Sequence, residues 1–217
     1  MSRIQYALFM TVLGICFVIA CNTADSKVHV MAPITNEPDT AYKSTLRVKG
    51  AEAKAFCKQR GMDTTQCFLL HFGRHSGYHR FYVWDMQTQS AIDSGLVSHG
   101  CGESSWGVDG TADAPLFSNT PDSHLSSIGR YRIGKRGYSQ WGINVNYLMH
   151  GLDSTNDKAL SRAIVLHSWG MMSDVATYPQ GSPEGWGCPA VSNAFMTRLD
   201  TRLQAAEKPL LMWIFTE

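Results

Sequence analysis

The sequence predicts a mainly β (α+β) fold, a β-sandwich or barrel with an N-terminal helix and one helix following Cys188. Three observations predict it. Six short runs are rich in aromatic and β-branched residues, and only two stretches keep a helical period. Strands and helices also do not alternate as βαβ units would.

Taken in order, residues 45–59 read as one helix ended by Gly61. Residues 67–72 and 80–85 are strand-like runs, and 91–98 follows the polar turn Met86-Gln87-Thr88-Gln89, which predicts a hairpin. Residues 103–127 are rich in Ser, Gly, Asp and Pro and read as a long loop, a length that usually carries function. Residues 129–133 are a short strand, and 163–166 is a buried-type strand running directly into His167. In 189–206, Val191, Phe195, Leu199 and Leu203 recur every four residues, which predicts a helix with Pro189 in its first position. Residues 210–215 close the chain as a strand.

Apolar residues make up 44% of the 217 and charged residues 17%, enough for one domain with a sizeable core and too apolar for disorder. The formal charge is +1, with no basic run or zinc-finger spacing, so no nucleic-acid partner is expected. Arg3 precedes an uncharged apolar run from Tyr6 to Ala20, short for a membrane span and suited to an export signal. Its end, Val18-Ile19-Ala20-Cys21, resembles a bacterial lipobox, in which the thiol of Cys21 carries lipid; an ordinary cleavage site before Cys21 is the alternative. The expected layout is a signal peptide at 1–20, an anchor cysteine with flexible linker at 21–40, and one domain at 41–217. Asn22 is not the aspartate that retains lipoproteins at the inner membrane, so the periplasmic side of the outer membrane is the expected location. A lipid anchor on Cys21 would then be the membrane contact, and a monomer is expected.

Four cysteines fall in the domain: Cys57, Cys67, Cys101 and Cys188. An oxidising compartment makes a Cys57–Cys67 bridge one candidate pairing, while a catalytic cysteine must stay unpaired. The chemically informative junction is the strand ending at His167-Ser168, a Gly-rich loop, then Gly185-Trp186-Gly187-Cys188-Pro189. A cysteine at a helix N-terminus would have a lowered pKa, and Gly187 leaves room for a substrate carbonyl beside backbone N–H donors. His167 at a strand end is the candidate base, with a main-chain carbonyl near Ser168 as its orienting group. The bland alternative is a buried small hydrophobe and a satisfied core histidine.

The stretches Arg80-Phe81-Tyr82-Val83-Trp84-Asp85, Val97-Ser98-His99-Gly100, residues 117–129 with Ser123-His124, Ala163-Ile164-Val165-Leu166-His167, and Trp186-Gly187-Cys188-Pro189 occur in one order over residues 65–217. Together they resemble the L,D-transpeptidases, in the branch with a Trp-Gly-Cys-Pro signature. The resemblance implies a β-rich fold whose cysteine attacks the bond between a diamino acid and D-alanine in a peptidoglycan stem peptide. The acyl group then passes to an amine, or to water in a carboxypeptidase, and no metal or organic cofactor is implied. Cys188, His167, Ser168 and Gly187 are the catalytic candidates; His99, Trp186, Ser123 and His124 are the candidates for shaping the substrate cleft. Pro183-Glu184-Gly185 stands where the branch usually has Gly-Arg-Ser, and Ser168 where it has glycine. Ser98-His99-Gly100-Cys101 spells the commoner family signature, but it follows a hairpin strand and lacks the residues that would open a helix. A zinc site from His99, Cys101, His167 and Cys188 has no compact metal spacing, and a peptidoglycan-binding protein without turnover is the non-enzymatic rival.

Overall fold

The computed structural model describes residues 40–217. The export segment 1–20, Cys21 and the linker up to residue 39 lie outside the described residues. Among the described residues, no helix is long and apolar enough to cross a membrane.

Helix α1 (Thr40–Arg60) is followed by strands β1 (Gln66–His71), β2 (Phe81–Asp85), β3 (Ser90–Gly95), β4 (Gly129–Tyr138), β5 (Val145–Gly151), β6 (Val165–Ser168) and β7 (Ala190–Val191). Helix α2 (Asn193–Ala205) and strand β8 (Leu211–Phe215) complete the chain. All eight strands form one sheet in the order β3-β2-β1-β8-β4-β5-β6-β7, with β1–β8 and β6–β7 parallel and the rest antiparallel. The two ends of that order nearly meet. Ser98, just past β3, donates its N–H to the Ala190 carbonyl of β7 at 2.9 Å, so the sheet is nearly closed and Cys188 sits at the seam.

The central strands are continuous apolar runs because both faces of the sheet are covered. Along β1, β2 and β8, Cys67, Leu69, Tyr82, Trp84, Leu211 and Phe215 face α1 through Leu46, Ala53 and Cys57. The alternate residues Phe68, Leu70, Phe81, Val83, Met212 and Ile214 join the main core with Phe195, Met196 and Leu199 of α2. Helix α1 can lie this close only because Gly50 has no side chain: a Cβ there would stand 2.0 Å from Trp84 Nε1. Gly50→Ala should therefore destabilise the protein by about 1–2 kcal/mol, overpacking outweighing the gain in helix propensity. A thermal melt should show a drop of about 2–8 °C, where an exposed helical glycine would give a rise.

The structure departs from the sequence expectations in several places. Strand β5 is not among the runs predicted from the sequence; in it Val145, Tyr147 and Met149 are buried in strict alternation with less buried neighbours. Strand β4 runs on past Ile133 through two glycines; a bulge lies between Ile133 and Arg136, and Gly134 makes room for the His150 ring of β5. Helix α2 begins at Asn193 and not at Pro189, because Ala190 and Val191 pair with β6; Ser192 is its N-cap, accepting from Phe195 N at 3.1 Å. Cys57, Cys67, Cys101 and Cys188 are all free thiols, so the Cys57–Cys67 bridge is not formed. Burial pushes the Cys57 thiol up to about 12, with Asp63 adding to it, and raises Cys67 as well.

Candidate active site

Because α2 starts after β7, Cys188 does not stand at a helix N-terminus, and the macrodipole argument for an acidified thiol fails. Cys188 is half-buried at the entry to β7. Its Sγ accepts from Val165 N at 3.4 Å and donates to the Ala163 carbonyl at 3.8 Å, where Ala163 is held at φ 54°. Burial raises the thiol pKa above its ordinary value, opposed by the Val165 N–H and the charge of Arg162. The resting species is the neutral thiol. Alkylation of Cys188 by iodoacetamide should therefore keep accelerating past pH 9 without the neutral plateau of a preformed thiolate, and peptide mapping should find Cys57 and Cys67 unmodified in the folded protein.

His167 is the penultimate residue of β6, and its Nδ1 lies 2.9 Å from the Ser168 carbonyl. A carbonyl only accepts, so Nδ1 carries the proton and Nε2 is left as the basic nitrogen. Burial lowers the imidazole pKa, so it is neutral at pH 7. His167 and Cys188 line one pocket of about 340 Å³, together with Ser98, Gly185 and Ala190 and a set of tryptophans.

The backbone around Cys188 is fixed largely by residues the sequence did not single out, with Gly187 the exception. Ser98 Oγ donates to the Cys188 carbonyl at 3.3 Å and accepts from Ala190 N at 3.0 Å. Ser126 Oγ donates to the Gly187 carbonyl at 3.1 Å. Gly187 adopts φ +94°, and a Cβ there would lie 2.5 Å from the Leu125 carbonyl, so both conformation and space demand glycine. Arg162, the cation that acts on the thiol, donates to the carbonyls of Ser118 and Leu125 and to the hydroxyls of Ser127 and Ser123. It thereby ties the 117–127 loop to the strand that leads to His167. Its only signal in sequence is a lone charge abutting the apolar run before His167.

The candidate cleft residues separate. Trp186 is largely exposed, lines the pocket and stacks flat on His124, with ring centroids 5.2 Å apart and planes 22° off parallel. Ser123 does not line the pocket; it receives Arg162. His99 is a correction: it is fully buried and offers a ligand no surface. Its Nδ1 lies 2.7 Å from Arg80 Nη2, a donor, so Nδ1 accepts and Nε2 donates to Thr111 Oγ1 at 2.8 Å. Thr111 passes its own proton to Glu184 Oε1 at 3.0 Å, and its N–H reaches the same oxygen. Burial, and then Arg80, depress the His99 pKa to about 2, so its 3.5 Å approach to Glu184 is not an ion pair.

This relay explains one departure from the motif. Glu184, standing where arginine is usual, is wholly buried and balances the equally buried Arg80 through His99 and Thr111. The position offers the pocket no charged group. Ser168, standing where glycine is usual, accepts from Ile143 N at 2.9 Å, and its Oγ occupies the space a Cβ on Gly142 would need. Cys101 is buried with its pKa raised by burial, and it lies outside the pocket. Among the described residues, no group of three or more His, Cys, Asp or Glu is placed to hold a metal.

Comparison with known proteins adds a family. The sequence model described as the L,D-transpeptidase catalytic domain matches residues 40–213. Curated proteins gave no match. Among solved structures, an L,D-transpeptidase from Xylanimonas cellulosilytica is 11% identical, with 74% of this chain and 68% of that one covered and a TM-score of 0.42. The helical cell shape determining protein Pgp2 from Campylobacter jejuni is 10% identical, with 81% and 55% covered and a TM-score of 0.42. A variant of Pgp2 gives 10%, with 78% and 57% covered and 0.46. The chain thus spans a little over half the length of the Pgp2 structures.

Proposed function

The chain belongs to the L,D-transpeptidase catalytic domain family, and from that premise we propose that it is a peptidoglycan L,D-transpeptidase with Cys188 as nucleophile and His167 as base. One observation carries the reading: His167 holds its Nδ1 proton on the Ser168 carbonyl, leaving Nε2 basic in the pocket it shares with the Cys188 thiol. In the proposed reaction Nε2 takes the thiol proton as Sγ attacks the carbonyl between the stem's diamino acid and D-alanine. Backbone N–H groups at Gly187 and Cys188 receive the oxyanion. The C–N bond breaks, His167 returns the proton to the leaving D-alanine amine, and a thioester remains. An amine of a second stem then attacks the thioester, loses its proton to His167, and the proton returns to sulfur. Water in the same role would make the enzyme an L,D-carboxypeptidase.

The same reading has the chain exported and held through a lipid on Cys21, with the following linker letting the domain reach the wall. The support for that part is the sequence of residues 1–40.

Mass spectrometry of tetrapeptide muropeptides incubated with reduced protein from Asn22 onward tests the chemistry. The expected result is loss of D-alanine with a new dimer, and a trapped acyl adduct that maps to Cys188. Loss of D-alanine without a dimer would assign the hydrolase. Neither product nor adduct would reduce the protein to a non-catalytic binder.

A further inference from the structure

Four of the six tryptophans, Trp106, Trp141, Trp169 and Trp186, converge on the pocket that holds Cys188 and His167. They come from four separate segments of the chain. Trp106 touches the other three, with centroids 4.9 Å from Trp169, 6.0 Å from Trp141 and 6.5 Å from Trp186; Trp141 and Trp169 are also 6.5 Å apart. Rings at such spacings are in contact with one another. They make a continuous wall, not a cage with a gap between facing rings. Trp169 is its buried base, whereas Trp106, Trp141 and Trp186 remain 44%, 40% and 62% exposed. Three large aromatics left open to water beside a candidate catalytic pair form a ligand surface in waiting.

The wall's chemistry narrows the ligand. None of the described lining residues is Asp, Glu, Lys or Arg, and Gln140 is the added hydrogen-bonding group on this side. A stem peptide is charged at its carboxylates and at the amine of its diamino acid, and the wall holds nothing to pair with either. The sugars of the same polymer are neutral. An N-acetylhexosamine presents an axial C–H face that packs on the electron-rich face of an indole, and an acetamide that Gln140 can hydrogen-bond. Resting on the proposed function, we infer that Trp106, Trp141 and Trp186 form a glycan subsite that binds an N-acetylhexosamine of the peptidoglycan strand beside the thiol. The enzyme then distinguishes a stem still attached to its glycan from a free stem peptide.

Two measurements test this separately from the chemistry. Cys188→Ala protein is titrated with the N-acetylglucosamine trimer and followed by tryptophan fluorescence. A saturable change is expected, weakened about tenfold or more in Cys188→Ala/Trp141→Ala and largely restored in Cys188→Ala/Trp141→Phe. No change with the trimer, or equal binding by the Trp141→Ala protein, would overturn the inference. So would a spectral shift with phosphatidylcholine vesicles in place of the trimer, which would make the wall a membrane contact. Second, kcat/KM of the wild type is compared on a disaccharide-tetrapeptide and the free tetrapeptide. The sugar-bearing substrate should lead by about tenfold, with the ratio falling towards one in Trp141→Ala. Equal values in the wild type would overturn the subsite; turnover of neither substrate would instead overturn the proposed function, and the trimer titration would still decide the subsite.

Discussion

Cys188→Ala is expected to remove turnover of a tetrapeptide muropeptide by about 10⁴-fold or more, and His167→Gln to lower kcat/KM by about 10²–10⁴-fold. Cys101→Ala should leave turnover unchanged, since that thiol is buried outside the pocket. The two large losses differ in kind. Without sulfur there is no acyl-enzyme, whereas without imidazole the thiol must ionise unaided, and burial has made that harder than for a free cysteine. The His167→Gln protein should therefore regain part of its rate as the pH rises past 9 and the thiolate forms on its own. The wild type should behave differently at the acid end. Burial depresses the His167 pKa below 6.5, so the basic form persists under that value and activity falls only as the pH drops through the lowered pKa. An acid limb at or above 6.5, or a Cys188→Ala protein that still releases D-alanine, would remove the assigned pair. The mechanism so described starts from a neutral thiol and a neutral imidazole. It needs the proton transfer and the attack to be coupled, which places the weight on geometry: Ser168 orienting the ring, and Ser98, Ser126 and Gly187 holding the backbone at the sulfur.

The parts of the fold that were legible in sequence are those where burial imposes an unbroken pattern. Strands β1, β2 and β8 read as apolar runs because each buries both faces. Strand β5 buries one face, and its outward Asn146 and His150 diluted the signal. The two residues of β7 are too few to carry a period, so Ala190 and Val191 were absorbed into the helix whose true cap is Ser192. That single displacement removes the macrodipole argument for a lowered Cys188 pKa, which burial raises instead, while Cys188 and His167 still line one pocket. The supports of the site were not legible, because they depend on residues far apart in the chain. Arg80 and Glu184 neutralise each other through His99 and Thr111, and the tryptophans of the wall lie on four segments. Where a motif departed from its family, the structure supplied the compensation: Gly142 for Ser168, and a buried relay for Glu184.

The stability of this protein should begin to fall with acid below pH 6.5, before its carboxylates start to titrate. His99 is wholly buried and its pKa is depressed from 6.5 to about 2 by burial and by Arg80. His71 is buried against Phe215 and falls to about 4, through burial first and then the charges of Arg74, Arg80 and Lys49. Both are neutral in the folded protein, whereas in the unfolded chain they take up protons once the pH passes below about 6.5. Their contribution is thus fully present above 6.5 and is lost as the pH falls, because the unfolded state then binds more protons. Each group costs up to about 1.4 kcal/mol per pH unit below 6.5, so the pair removes stability on the order of a few kcal/mol between pH 6.5 and pH 4. That is a substantial share of the stability of an ordinary domain. Urea unfolding at intervals from pH 7 to pH 4 should show the decline. His71→Phe, which keeps a ring against Phe215 and cannot titrate, should make the slope shallower while leaving the His99 share. A stability independent of pH across this range would mean that the fold accepts a proton on these imidazoles. For His99 that would require breaking the contact with Arg80 and the relay that runs to Glu184 beneath the Cys188 loop. The same titration of unfolding therefore reads the integrity of the network under the candidate active site without any substrate.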